Sequence, residues 1–339
     1  MPRQNNVALP PGYQLETYTV KAQLSMGGFS IVYLVEDEDE REYAVKEYLP
    51  NNLALRKEGE SAPQILEEHQ TVFRYGMKCF FVEGRALAAM NHPNVIRVVN
   101  FFRANNTVYM VMEYVEGRSL HEVVYSQPDQ ISERYMRGVF ARVLNGLREV
   151  HSHRLLHLDL KPSNIYMRQD KIPLLIDFGA ARQMLMREKN ILKPMYTPGF
   201  ASPEHYGRLE DVGPWSDIYG IGASMYALLG RKTPQAANER LKKDELVPAR
   251  RRWSQDYSPK LLELIDWCME LDYLNRPQSV YSLQKLLIED APPLSSDRRK
   301  KSSRSRHLGS SRSSRDSKIS SATGRWLGHW FGKSSYPNR

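Results

Sequence analysis

The stretch His157-Leu158-Asp159-Leu160-Lys161-Pro162-Ser163-Asn164, followed after twelve residues by Asp177-Phe178-Gly179, decides how this chain is read. It gathers two carboxylates, an amide and a cation into one short span. Oxygen donors of this kind suit a hard cation such as Mg²⁺. A carboxylate beside them can take a proton from a hydroxyl nucleophile. The bland alternative is three polar residues on unrelated loops, and the spacing H-x-D-x-K-x-x-N with a later D-F-G makes it a poor one.

Two upstream segments carry weaker signals. Leu24-Ser25-Met26-Gly27-Gly28-Phe29-Ser30-Ile31-Val32-Tyr33 places a turn of small residues between two strand-like runs. Such a turn lets backbone N–H groups approach a phosphate without side-chain clash, although Gly-Gly between strands is also an ordinary hairpin turn. In Tyr43-Ala44-Val45-Lys46 a lysine ends an otherwise mostly apolar strand. It is either an edge lysine or a buried ammonium that needs anionic partners.

The rest of the chain reads as two unlike parts. Up to Tyr114, β-branched and aromatic runs (Tyr18 to Val20, Ile31 to Val35, Glu42 to Lys46, Val95 to Phe102, Thr107 to Tyr114) alternate with turn-forming clusters, which predicts an antiparallel meander. One helical pattern, Phe80, Val82, Ala86, Leu87 and Met90, interrupts it and stops at Asn91-His92-Pro93. After Gly117 the period changes to 3.6. Ser132 is the predicted N-cap of a helix burying Met136, Val139, Phe140, Val143, Leu144, Leu147 and Val150. Further helices are predicted over 215–229, 259–271 and 278–289. This is an α+β chain with a small sheet lobe, a larger helical lobe and a cleft between them.

Composition narrows the function classes. Of the 339 residues 41% are apolar, enough for a sizeable core. Two cysteines, Cys79 and Cys268, exclude a disulfide scaffold or a cysteine-based zinc ribbon. The start, MPRQNNVALPPGY, lacks a signal-peptide pattern and no apolar run nears 18 residues, which predicts a cytoplasmic chain. The net charge of +9 is unevenly placed: residues 291–339 carry 12 Lys/Arg and 2 Asp/Glu, so the body is nearly neutral. With 14 serines in its 49 residues, this tail is predicted to be disordered. A neutral body and a Ser/Arg stretch without interleaved aromatics make a nucleic-acid partner a weak reading.

At this point the chain resembles the eukaryotic-like (Hanks-type) Ser/Thr protein kinases, from about Tyr13 to Glu289. The run Lys46-Glu47-Tyr48-Leu49-Pro50-Asn51-Asn52-Leu53-Ala54-Leu55-Arg56 resembles the bacterial branch. The resemblance implies a kinase domain over 13–290, with N-lobe 13–115 and C-lobe 116–290, an N-terminal extension 1–12 and the tail 291–339. It implies ATP and Mg²⁺, with Mn²⁺ as a substitute, held by Leu24 to Ser30, Val32, Ala44 and Lys46, the last paired with Glu83. Met112 would gate the cleft, and backbone groups from Glu113 to Val115 would read adenine. Asp159 would orient the substrate hydroxyl, Lys161 steady the γ-phosphate, and Asn164 and Asp177 hold the metal. Glu204 and Arg276 would form a buried ion pair, and Asp217 would anchor the catalytic loop. Leu87, Val98, His157 and Phe178 would stack as a column, and Thr197 would contact substrate. Lys161, Ser202-Pro203-Glu204 and Asp217 favour a protein substrate over a small molecule. Protein substrates and a cognate phosphatase are the implied partners.

Several positions depart from the family pattern. Ser25 and Ser30 replace glycines of the phosphate loop, which should stiffen it. Leu158 stands where an arginine usually receives an activation-loop phosphate, which a leucine cannot bind. The segment 180–196 contains no Ser or Thr. Together these predict an enzyme that autophosphorylates elsewhere and needs no phosphate there. His151, His153 and His157 lack the companions of a metal site; the first two are read as a cluster favoured by the helix dipole. In the tail, Trp326, Leu327, Trp330 and Phe331 share a helical face beside basic residues. They are candidates for docking to a partner or to an anionic surface at the inner membrane face.

Overall fold

The computed structural model describes residues 6–126, 131–179 and 196–289. The segment 180–195 and the tail with its aromatic end lie outside the described residues. Strands β1 (Gln14–Leu15), β2 (Tyr18–Met26), β3 (Ser30–Glu36) and β4 (Glu42–Tyr48) form a meander. Strands β5 (Ala54–Leu55) and β6 (Gln64–Ile65) pair within the connection to helix α1 (Gln70–Ala88). Strands β7 (Val98–Ala104) and β8 (Thr107–Glu113) complete an antiparallel sheet of order β1-β2-β3-β4-β8-β7.

The register of this sheet positions the site. Lys46 of β4 faces Met110 of β8, and Ala44 faces Met112, so alternate residues of both strands share one face. Helix α1 packs on that sheet through Phe73, Met77, Phe80, Gly84 and Leu87. Val82 is a correction: it is 55% exposed. Two residues from Phe80 is more than half a turn, so the two side chains cannot share a face. Strand β7 also starts three residues later than the β-branched run suggests, because Val95 instead makes a parallel bridge to Leu175 of the other lobe.

The second lobe is built on α2 (Leu120–Ser126) and α3 (Glu133–Ser152). Ser132 caps α3 as expected, its hydroxyl accepting the Tyr135 N–H at 3.1 Å, and all seven expected apolar residues are buried. Short strands β9 (Gly117–Ser119), β10 (Ile165–Arg168) and β11 (Pro173–Leu175) form a small sheet unforeseen from periodicity. Three or four residues are too few for alternation to show. Helix α4 (Pro214–Gly230) buries every residue from Ser216 to Leu228, the pattern of a helix enclosed on all sides. Around it lie α5 (Ala237–Arg240), α6 (Ala249–Arg252), α7 (Pro259–Cys268) and α8 (Val280–Glu289). The last two are shorter than their apolar runs suggest. Among the described residues no helix is long and apolar enough to cross a membrane.

Residues 6–12 do not stand apart from the domain as an extension. Asn6 and Leu9 are buried against the sheet lobe, and Leu9 N–H donates to the Tyr33 hydroxyl at 3.2 Å.

Candidate active site

Asp217, in the first turn of α4, organises the loop before β10. Its carboxylate accepts the backbone N–H groups of His157 (2.9 Å) and Leu158 (2.7 Å) and the His151 Nε2 at 2.8 Å. Burial alone would raise this carboxyl, but His151, His157 and the Leu158 amide outweigh it and hold it below its usual range. The three bonds offset a local cost: Leu158 is left-handed at φ 62°, a strain of about 1–3 kcal/mol for such a residue. His151 is thus explained by an anionic partner rather than by the helix dipole, while His153 Nδ1 stays near the Glu149 carbonyl at 3.0 Å.

His157 itself is fully buried and neutral. Its Nδ1 accepts the Asp159 N–H at 3.4 Å, so Nε2 is the donor, to the Ile176 carbonyl at 3.1 Å. Its ring lies 4.5 Å from that of Phe178. Leu87 and Phe178 line one cavity and Val98 is buried on β7, so the expected column members are all internal.

Lys161, Asn164 and Thr197 converge on Asp159. One carboxylate oxygen accepts Lys161 Nζ at 2.9 Å and Asn164 Nδ2 at 2.9 Å, and the other accepts the Thr197 hydroxyl at 2.9 Å. Lys161 also donates to the Thr197 oxygen at 2.9 Å, closing a triangle. The Asn164 amide donates a second bond to the Asp159 carbonyl at 2.8 Å, which directs its N–H₂ end inward and leaves its oxygen as a donor atom for a cation. Across the cleft, Lys46 Nζ donates to Asp177 Oδ1 at 2.6 Å, and Asp177 is left-handed at φ 59°.

A cleft of about 430 Å³, counting its open mouth, is lined by Lys46 and Asp177 of these groups. Val32, Ala44, Lys46, Glu83, Met112, Asp177 and Phe178 line it. Met110, Ile96 and Ile176 line it too and were missed. Met110 was recoverable, because it lies two positions before Met112 on one strand and so faces the same way. Of the phosphate loop only Val32 reaches this cavity. Leu24, Ser25 and Met26 end β2, Ser30 opens β3, and Gly27 N–H donates to the Ser30 carbonyl at 2.9 Å, closing the hairpin. At the other end, the Glu113 N–H already donates to the Arg97 carbonyl at 3.0 Å. That amide is therefore already used within the fold.

Glu204 and Arg276 meet as expected in a two-pronged pair, 2.7 and 3.0 Å, with side chains 3% and 0% exposed. Burial would raise the Glu204 carboxyl, but Arg276 and the Ser216 hydroxyl hold it below its usual range. Cys79 and Cys268 are buried thiols whose pKa values burial raises. No group of three metal-ligating side chains of the His/Cys/Asp/Glu type occurs among the described residues.

Burial depresses the pKa values of His92, His121, His157 and His205 below the ordinary 6.5. Below pH 6.5 the unfolded chain therefore binds more protons than the folded one, and stability present above that pH is lost as pH falls. His157 and His205, the two most enclosed rings, contribute most to this loss. Urea unfolding at pH 7.5 and 5.5 should show a lower midpoint at 5.5; equal midpoints would contradict the neutral assignment.

A lysine–aspartate-lined cleft between a curled antiparallel sheet and a helical lobe, together with the hydrogen-bonded group of Asp159, Lys161 and Asn164, defines a phosphotransferase architecture. Residues 18–288 match the protein kinase domain model, and the chain belongs to the protein kinase family. It is 31% identical over 248 residues to the human serine/threonine-protein kinase Nek2, covering 69% of this chain and 55% of that one. It is 27% identical over 309 residues to the kinase PknB of Mycolicibacterium smegmatis, covering 85% and 46% respectively. The chain thus spans about half the length of these relatives. The apo form of PpkA-294 superposes with a TM-score of 0.73 at 32% identity, over 83% of this chain and 99% of that one. The PknI kinase domain of Mycobacterium tuberculosis shares the fold, with a TM-score of 0.62 at 21% identity over 84% and 100% of the two chains. Membership in the family implies use of ATP and a divalent cation.

Proposed function

We propose that this chain transfers the γ-phosphoryl group of ATP to serine and threonine hydroxyls of protein substrates. The observation that carries the reading is the triangle of Asp159, Lys161 and Thr197. It shows a hydroxyl already held against the Asp159 carboxylate at 2.9 Å with a cation alongside. A substrate hydroxyl placed there would pass its proton to Asp159 as its oxygen bonds to the γ-phosphorus. The bond to the β–γ bridging oxygen then breaks and ADP leaves. Lys161 would offset charge on the transferring group, and Lys46 would shift from Asp177 toward the α- and β-phosphates. Asp177 and the Asn164 oxygen form a hard donor set that fits Mg²⁺, which when bound would neutralise phosphate charge. The Glu113 carbonyl and the Val115 amide would read the adenine edge, with Met112 behind them.

The reading extends to regulation. Position 158 offers a half-buried leucine, and Asp217 sets its backbone without help from any phosphate. The chain should therefore be active with segment 180–196 unphosphorylated and should label its own serines elsewhere. Incubation with ATP and Mg²⁺, followed by phosphosite mapping and comparison with a chain ending at Asp290, tests both statements. Incorporation into a protein substrate with 180–196 unmodified is the expected result. A required phosphate in that segment would refute the regulatory part, and no transfer under any condition would refute the enzyme.

A further inference from the structure

Behind β4, away from the cleft, lies a buried charge network that the proposed chemistry does not use. Strand alternation turns Glu47 to the face opposite Lys46. Its carboxylate accepts both terminal nitrogens of Arg56, at 2.6 and 2.8 Å, and the hydroxyls of Tyr33 (2.7 Å) and Tyr109 (2.8 Å). Both charged side chains are 0% exposed. A pair this deep adds little net stability over an apolar replacement, so its use is better sought in what it holds in place.

It holds two segments. The first is the connection after β4, whose Leu49 and Asn51 N–H groups donate to the Phe29 and Gly28 carbonyls at 3.0 and 2.9 Å. The Phe29 ring meets Tyr48 edge-on at 5.5 Å. The tip of the Gly27-Gly28 turn is therefore tied down by this connection. The second is the strap formed by residues 6–9. Asn6 Nδ2 donates to Asn51 Oδ1 at 2.7 Å and to the Ala54 carbonyl at 3.2 Å, while its oxygen accepts the Arg56 N–H. Val7 N–H donates to the Arg56 carbonyl at 3.0 Å, and Arg56 Nε returns a bond to the Val7 carbonyl at 2.8 Å.

We infer that the strap, the connection and the Arg56–Glu47 pair form one clamp that presets the Gly27-Gly28 turn for the triphosphate of ATP. Asn6 and Arg56 are then positioning residues for the phosphates, acting through Asn51 and the loop carbonyls. A glycine turn left loose must be ordered when ligand binds, and holding it beforehand removes that cost from the binding step. The inference rests on the nucleotide reading of the cleft. It adds that the chain before the first strand takes part in phosphate recognition, although it lies outside the cleft.

The clamp touches the phosphate end only, and that gives a readout a merely structural role would not move. In the full chain, Asn6→Ala should weaken Mg-ATP binding by about fivefold to tenfold, the equivalent of one or two lost hydrogen bonds. Adenosine, which lacks phosphates, should bind as it does to the parent. Replacing Arg56→Met together with Glu47→Leu leaves no unpaired buried ion and should show the same split. Calorimetric titration with both ligands and melting curves without ligand make the comparison. Variants that bind Mg-ATP like the parent, or lose adenosine and Mg-ATP equally, overturn the clamp. A parent chain that binds no Mg-ATP overturns the nucleotide reading itself, and the clamp with it.

Discussion

Replacing Asp159 by Asn is expected to lower kcat for phosphoryl transfer by about 10²- to 10⁴-fold, the range associated with loss of a general base. The amide matches the carboxylate in shape and still accepts the Asn164 and Lys161 donors through its oxygen. It cannot take a proton from the hydroxyl now held at 2.9 Å by the second carboxylate oxygen. Nucleotide binding should be retained, because Lys46 and the cleft wall are untouched and Asp159 lies at the acceptor end. Steady-state kinetics with a protein substrate, paired with titration of Mg-ADP, separates the two effects. Transfer at the parental rate would remove Asp159 from the chemistry and favour a scaffold that binds without transferring phosphate.

Replacing Arg276 by Met is expected to destabilise the helical lobe by about 3–5 kcal/mol, the usual cost of leaving one partner of a buried pair unpaired. At the size of this domain that corresponds to a fall in Tm of about 10 °C. Arg276 does more than face Glu204: it also donates to the carbonyls of Glu270 (2.7 Å), Trp215 (3.1 Å) and Leu271 (3.0 Å). Its loss would therefore free three backbone acceptors together with one carboxylate. A companion variant with Glu204→Leu as well should recover part of the loss, since no buried charge then remains. A melting temperature within a degree or two of the parent would show that the pair is solvated in solution.

The two lobes and the groups around Asp159 were legible because the signals were local. The H-x-D-x-K-x-x-N run and Asp177 flank one short hairpin, β10 and β11, so closeness in the chain becomes closeness in space. Ser132 was legible as a cap for the same reason. The Asn6–Asn51 bond, 45 residues apart, left no trace in periodicity or composition. Arg56 was read as part of a family-like run with no partner in view. Its role depends on Glu47, Tyr33 and Tyr109, which lie on three different strands. That the Glu113 amide is taken by the Arg97 carbonyl was likewise invisible in sequence. Val82 failed for a simpler reason: a loose helical pattern accepts positions that a strict turn count rejects.

The back wall of the cleft pairs Met110 with Met112 on β8, and Met110 rests against Gly84 of α1, where an added Cβ would lie 3.0 Å from its terminal methyl. Both thioethers are unbranched and polarisable, so this wall can change shape at little cost where a branched aliphatic wall could not. Both are buried, yet they carry the oxidisable groups of this wall: a sulfoxide at either position would put a polar, bulkier group where an adenine ring should lie. Nucleotide bound in front of the wall would shield it. The oxidation state of two methionines, and not only the supply of ATP, would then set how many molecules in a population can still bind.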